Sequence, residues 1–210
     1  MHDQHGNNRS CARSPRLRHG LLAMYASLCL IMIVAHSAVA MERVELSTPV
    51  SRIGDGDGGL TASLQPAAEG GGTLEMTAWA SPRLLGDYAQ TNAVALLTDD
   101  RGVILQQAAF SCRRFVQKLA QRGNNACRNS YKVGRDALQH ANYLFIFNTF
   151  CIWQEVNGTP TRVAGCVAEG DTVEQITAFV AQTLPGLVKN NPVAAGDVIT
   201  AGDWRGARLR

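Results

Sequence analysis

The sequence predicts a mainly α-helical fold: a small helical bundle braced by disulfides, preceded by a poorly ordered Gly-rich N-terminal arm and a short strand or hairpin. Three observations predict it. Ile104, Ala108, Cys112, Phe115 and Leu119 recur at steps of four, four, three and four, the spacing of one helix face. Tyr143 to Trp153, YLFIFNTFCIW, gathers so many aromatic and aliphatic side chains that it must be mostly buried, as a central helix or, in the alternative, as a pair of core strands. The stretch GCVAEGDTVEQITAFVAQTLPG, residues 165–186, joins an acidic start signal, an apolar stripe and a Pro-Gly stop.

The first forty residues stand apart from the fold. Arg9, Arg13, Arg16 and Arg18 precede an uncharged apolar run, Leu21 to Ala35, and then the small residues Ala38-Val39-Ala40. That order marks a secretory signal peptide cleaved after Ala40, and a periplasmic chain. A retained anchor is the alternative, since about 20 apolar residues span a bilayer. Leu28 stands before Cys29, where a lipidation signal wants a small residue. Residues 41–210 carry sixteen basic and sixteen acidic side chains, so the basic balance of the whole chain belongs to the leader and does not point to nucleic acid.

Along the remaining chain, residues 41–72 read as a flexible arm, because GDGDGG (54–59) and AAEGGG (67–72) are Gly-rich. Asp55 and Asp57 do not make a calcium loop: Gly59 and Pro66 stand where further oxygen ligands are needed. TLEMTAWA (73–80) alternates weakly and fits a short strand stopped by Ser81-Pro82. Asp99-Asp100-Arg101-Gly102 fits a hairpin turn between 93–97 and 103–107, or the end of a short helix, and a helix over about 104–121 is the favoured reading. Asn125 is then the N-cap of the long helix that continues into Tyr143–Trp153. Asn157-Gly158 makes a turn. Asp171 caps the next helix, Glu174 completes a capping box, and Pro185-Gly186 stops it after Leu184. A last helix starts at Asn191-Pro192, and the tail from 205 to 210 is polar and frayed. The domains are therefore a leader (1–40), an arm (41–72), a helical body (73–204) and a tail (205–210).

Cys112, Cys127, Cys151 and Cys166 remain after the leader, enough for two disulfides in one of three connectivities. Sequential pairing closes two equal intervals. A straight helix from Cys112 to Arg122 would leave Cys112 about 15 Å behind its end, too far from Cys127. Either that helix ends early, the next one bends, or the pairing is not sequential. Cys151–Cys166 is the safer bond, with an irregular loop between its ends.

Little catalytic chemistry is visible. His140 is the one histidine beyond the leader, no GxSxG, HExxH or P-loop occurs, and no cofactor or metal is implied. Glu169, Asp171 and Glu174 are explained by helix capping and the helix dipole. Arg113, Arg114, Lys118, Arg122, Arg128, Lys132 and Arg135 form a run without an acid, read as a solvated face, as a surface that steers an acidic partner, or as one that meets anionic envelope polymers. Such a chain reads as a non-enzyme: a binding protein or a structural component of the cell envelope.

FSCRRF (110–115), ANYLFIFNTF (141–150) and the segment from Gly165 to Gly202, with Cys166, Gln175, Leu184 and Val193 to Ala201 at matching places, resemble the Rap/Tai immunity proteins. The resemblance spans Phe110 to Trp204. It implies an exported helical protein that binds a secreted type VI peptidoglycan amidase and occludes its cleft without turnover. It places the contacts in loops, and in the Trp153–Cys166 segment it points to Glu155, Asn157 and Arg162.

Overall fold

The computed structural model describes residues 41–53, 56–81, 87–115, 125–166, 172–201 and 203–210. The expected leader, with Lys118, Arg122, Glu169 and Asp171, lies outside them. The mainly α expectation is wrong. The described residues form eleven strands and two helices: β1 (Val44–Ser47), β2 (Ser51–Ile53), β3 (Gly56–Pro66), β4 (Gly72–Ser81), β5 (Asp87–Thr98), β6 (Ile104–Phe115), β7 (Asn125–Val133), α1 (Arg135–His140), β8 (Tyr143–Val156), β9 (Thr159–Gly165), α2 (Val173–Asn190), β10 (Val198–Ala201) and β11 (Trp204–Arg208). They build two antiparallel sheets. The first has the order β1-β3-β4-β7, with β2 also paired to β3; the second has the order β10-β11-β8-β5-β6, with β9 also paired to β8.

The sheets pack face to face. Leu60, Leu64, Leu74 and Met76 of the first meet Ala93, Leu97, Leu144 and Ile146 of the second in one apolar core. Helix α2 covers the other side of the second sheet, where Ile176, Val180 and Leu184 pack on Val94, Leu96, Phe145, Phe147 and Trp204. This layering explains why YLFIFNTFCIW does not alternate. β8 is central and buried on both faces, Leu144 and Ile146 toward the first sheet and Phe145 and Phe147 toward α2. A doubly covered strand needs apolar side chains at every position and is indistinguishable by period from a buried helix. Fully burying each such side chain is worth about 1.5–3 kcal/mol, far more than helix or strand propensity.

The helix read through Cys112 is strand β6. Ala108 and Cys112, four residues apart, share the inward face of a strand as well as they would share a helix face. β6 pairs with β5 across the Asp99–Gly102 turn, so the hairpin alternative is the real structure. Asn125 opens strand β7, not a helix.

The flexible arm is also corrected, since Val44–Ser47, Ser51–Ile53 and Gly56–Pro66 are strands. Its glycines admit close neighbours: a Cβ on Gly58 would lie 2.4 Å from Thr91 Oγ1 and 2.5 Å from Phe150 Cδ2. Glycine in a strand marks such an approach.

The helix read at 173–184 is present, with two changes. Thr172, not Asp171, is the N-cap, and the capping box closes on Gln175: the Gln175 N–H donates to Thr172 Oγ1 (3.2 Å) and the Thr172 N–H to Gln175 Oε1 (3.2 Å). Pro185 does not stop the helix, which runs to Asn190. Among the described residues no helix follows Asn191; β10 pairs with β11 instead, and the expected frayed tail is ordered through Arg208 on β8.

Both disulfides are sequential. Cys112–Cys127 joins β6 at the edge of the second sheet to β7 at the edge of the first, with Cα atoms 5.5 Å apart. The helical geometry that made this pair doubtful does not exist. Cys151–Cys166 ties β8 to the end of β9, with Cα atoms 5.2 Å apart. Side chains lace the same two edges: Tyr131 Oη donates to the Ala109 carbonyl (3.1 Å) and Gln106 Nε2 to the Lys132 carbonyl (2.7 Å).

Candidate functional site: the open face of the first sheet

The inner faces of both sheets form the core and α2 covers the outer face of the second. The outer face of the first sheet lies open among the described residues. Its side chains follow from strict alternation: in β4, Leu74, Met76, Ala78 and Ala80 point inward, so Thr73, Glu75, Thr77, Trp79 and Ser81 point out.

Strand register sets the outward side chains in rows. Glu45, Ser63, Glu75 and Ser130 form one row, and Ser47, Thr61, Thr77 and Arg128 the next. Gly59, Trp79 and Ala126 form the third, and Arg52, Asp57 and Ser81 the fourth. Successive rows lie about 7 Å apart along the strands. A groove of about 380 Å³ runs over the first two rows, lined by Arg43, Glu45, Glu75 and Arg128 and by the hydroxyls of Thr61, Ser63 and Thr77. Arg43 pairs with Glu45 and donates from Nε to Ser63 Oγ at 3.0 Å. The four charges lining the groove cancel.

Trp79 is the exception on this polar face, and it is half-buried. A Cβ on Gly59 would lie 2.2, 2.4 and 2.9 Å from its Cζ2, Cη2 and Cε2 atoms. A ring meets one point at those three distances with its face, not its edge. The indole therefore lies flat on Gly59, and its opposite face turns outward. From the core side, Thr91 Oγ1 donates to the Trp79 carbonyl (2.6 Å) and fixes the backbone beneath the ring.

The residues singled out from the sequence are elsewhere. Glu155, Asn157 and Arg162 lie on the β8–β9 hairpin, which replaces the irregular loop expected there. Asn157 and Gly158, at φ 53° and 75°, form its two-residue turn. Glu155 sits in the strand leading into the turn, and Arg162 pairs with Trp153 and donates from Nη1 to the Cys166 carbonyl (3.0 Å). The trio shares a hairpin but lines no described groove. His140 ends α1 on the surface, with Nδ1 3.3 Å from Asp136 Oδ1.

The basic run is divided by the sheets. Arg128 and Lys132 belong to the open face, while Arg113 Nε donates to Gln90 Oε1 (2.8 Å) on the second sheet. Gln90 there donates to Asn92 Oδ1 (2.7 Å), and Asn92 to Thr149 Oγ1 (3.3 Å), a buried network that satisfies itself and braces β5 against its neighbours. Among the described residues, no three His, Cys, Asp or Glu side chains converge as metal ligands, and no helix is long and apolar enough to cross a membrane.

No protein-family model, curated protein or solved structure matches the chain. The site was missed in the sequence because Gly54–Gly59 read as linker and 73–80 as a weak strand. The readable signal was Trp79 itself: the alternation of TLEMTAWA puts it on the polar side.

Proposed function

We propose that the protein is an exported, non-catalytic binding module that holds its ligand against the open face of the first sheet. The observation that carries this reading is a face that no described residue covers, with a polar groove and an outward-facing indole on a sheet whose other side is locked into the core. Two cross-strand disulfides support an oxidising compartment, as does the leader-like sequence of the first forty residues. Recognition on a stiff sheet loses little conformational entropy on binding.

Occlusion of a secreted peptidoglycan amidase needs only a rigid body with an accessible surface, so it stays compatible as a mode of action. The amidase as partner rests on the sequence resemblance alone; the helical fold that the resemblance implied is not the one observed.

A photo-crosslinking residue placed at Ser130, on the open face, and separately at Gln139, on exposed α1, tests the reading in the native cell. Adducts concentrated at position 130 are expected. Equal yields at both positions, or adducts at 139 alone, would refute it.

A further inference from the structure

We infer that the ligand of the open face is an uncharged glycan strand, with Trp79 as the platform on which one sugar ring stacks; this rests on the open-face reading above. Sugars present two kinds of surface. Their C–H faces are apolar and lie flat on aromatic rings, and their edges carry hydroxyls that pair with planar amide, carboxylate and guanidinium groups. The open face offers both at once. Trp79 turns one side of its indole outward, and its row neighbours Gly59 and Ala126 are too small to shield it. On one side of the ring lie the Thr61 and Thr77 hydroxyls and the Arg128 guanidinium; on the other lie Asp57 and Ser81.

Other ligand classes fit less well. A protein partner wants an apolar interface core with several anchors, and this face carries one aromatic ring among hydroxyls and charges. Nucleic acid wants a net positive surface. The groove pairs Arg43 and Arg128 with Glu45 and Glu75, so it gives no net attraction to a polyanion. A neutral polyhydroxylated chain uses donors and acceptors of both signs equally. Trp79 and Glu75, four residues apart on β4, are separated by about 13 Å, room for more than one sugar ring across platform and groove.

The test is affinity electrophoresis of the whole protein in gels holding hydroxyethylcellulose, glycol chitin or soluble starch, with polygalacturonate as the anionic comparison. Retardation by at least one neutral polymer, insensitive to added salt, is expected. Trp79→Ala should weaken it by about tenfold or more, and Trp79→Phe should retain a part. Gly59→Ala keeps the indole but forces it off its seat, and should also weaken retention while circular dichroism stays unchanged. Retardation by none of the neutral polymers overturns the inference, as does retardation by polygalacturonate alone or equal retardation of wild type and Trp79→Ala. If crosslinks at position 130 persist while every neutral polymer fails, the ligand class is wrong and the open face stands. If crosslinks also fail there, both are wrong.

Discussion

Gly58 and Gly59 stand side by side in β3 and serve opposite faces. Gly58 gives up its side chain to Thr91 and Phe150 in the core, and Gly59 to the indole of Trp79 outside. The two should respond differently to the same added methyl. Gly58→Ala meets packed core atoms on a close-packed interior and should cost about 1–3 kcal/mol. Gly59→Ala meets a surface ring that can swing away, so its melting temperature should stay closer to wild type. Equal losses would contradict the face assignment. A run of glycines is ambiguous in sequence because the atoms that demand them come from Trp79, Thr91 and Phe150, distant along the chain. Asp99 is a second instructive residue. Its carboxylate accepts from the Val103 N–H (2.8 Å) and the Arg101 N–H (2.9 Å) and pairs with the Arg101 guanidinium at the β5–β6 turn. Burial pushes its pKa up, but those bonds and the Arg101 charge prevail and hold it below the ordinary carboxylate value. A lowered folded pKa stabilises the fold above the unfolded value and loses that effect as pH falls through the folded one. Asp99→Asn should therefore cost about 1 kcal/mol near neutral pH, with the gap closing in strong acid. Melting curves across pH check this, and a gap that stayed constant would discount the charge.

At the scale of elements, α2 was the most legible, because its stripe of Ile176, Val180 and Leu184 cannot be placed on one face of a strand together with Leu187. Its boundaries were less so. Thr172 and Gln175 reproduce the cap one residue later than Asp171 and Glu174, and the sequence supplies both pairs. Thr172→Ala should cost about 1 kcal/mol, and Ile176→Ala about 2–5 kcal/mol because it empties a fully buried site beneath the helix. Chemical denaturation distinguishes these losses. β8 and β6 were misread for opposite reasons. In β8 the burial of both faces erased the period of two, and in β6 the spacing of Ala108 and Cys112 satisfied two periods at once. The open face of β4 was legible in principle, since Thr73, Glu75, Thr77 and Trp79 alternate, if weakly, with Leu74, Met76, Ala78 and Ala80. What the sequence does not contain is the pairing of that strand with β3 and β7, and hence the rows that make a site.

At the scale of the whole molecule, the Cys112–Cys127 bond joins the two sheets at their edges, where no backbone ladder runs between them among the described residues. Replacing both cysteines with alanine should lower stability by about 3 kcal/mol, the loop-closure effect of a ring of this length. Equilibrium unfolding with and without the replacement measures it, and a loss near zero would show that the core alone holds the sheets in register. The bond also has a mechanical meaning. Stretched between its ends in an optical trap, the oxidised chain keeps the segment from Cys112 to Cys127 bypassed by a covalent shortcut, so full extension falls short by about 50 Å for that ring. The load would pass from one sheet to the other through sulfur.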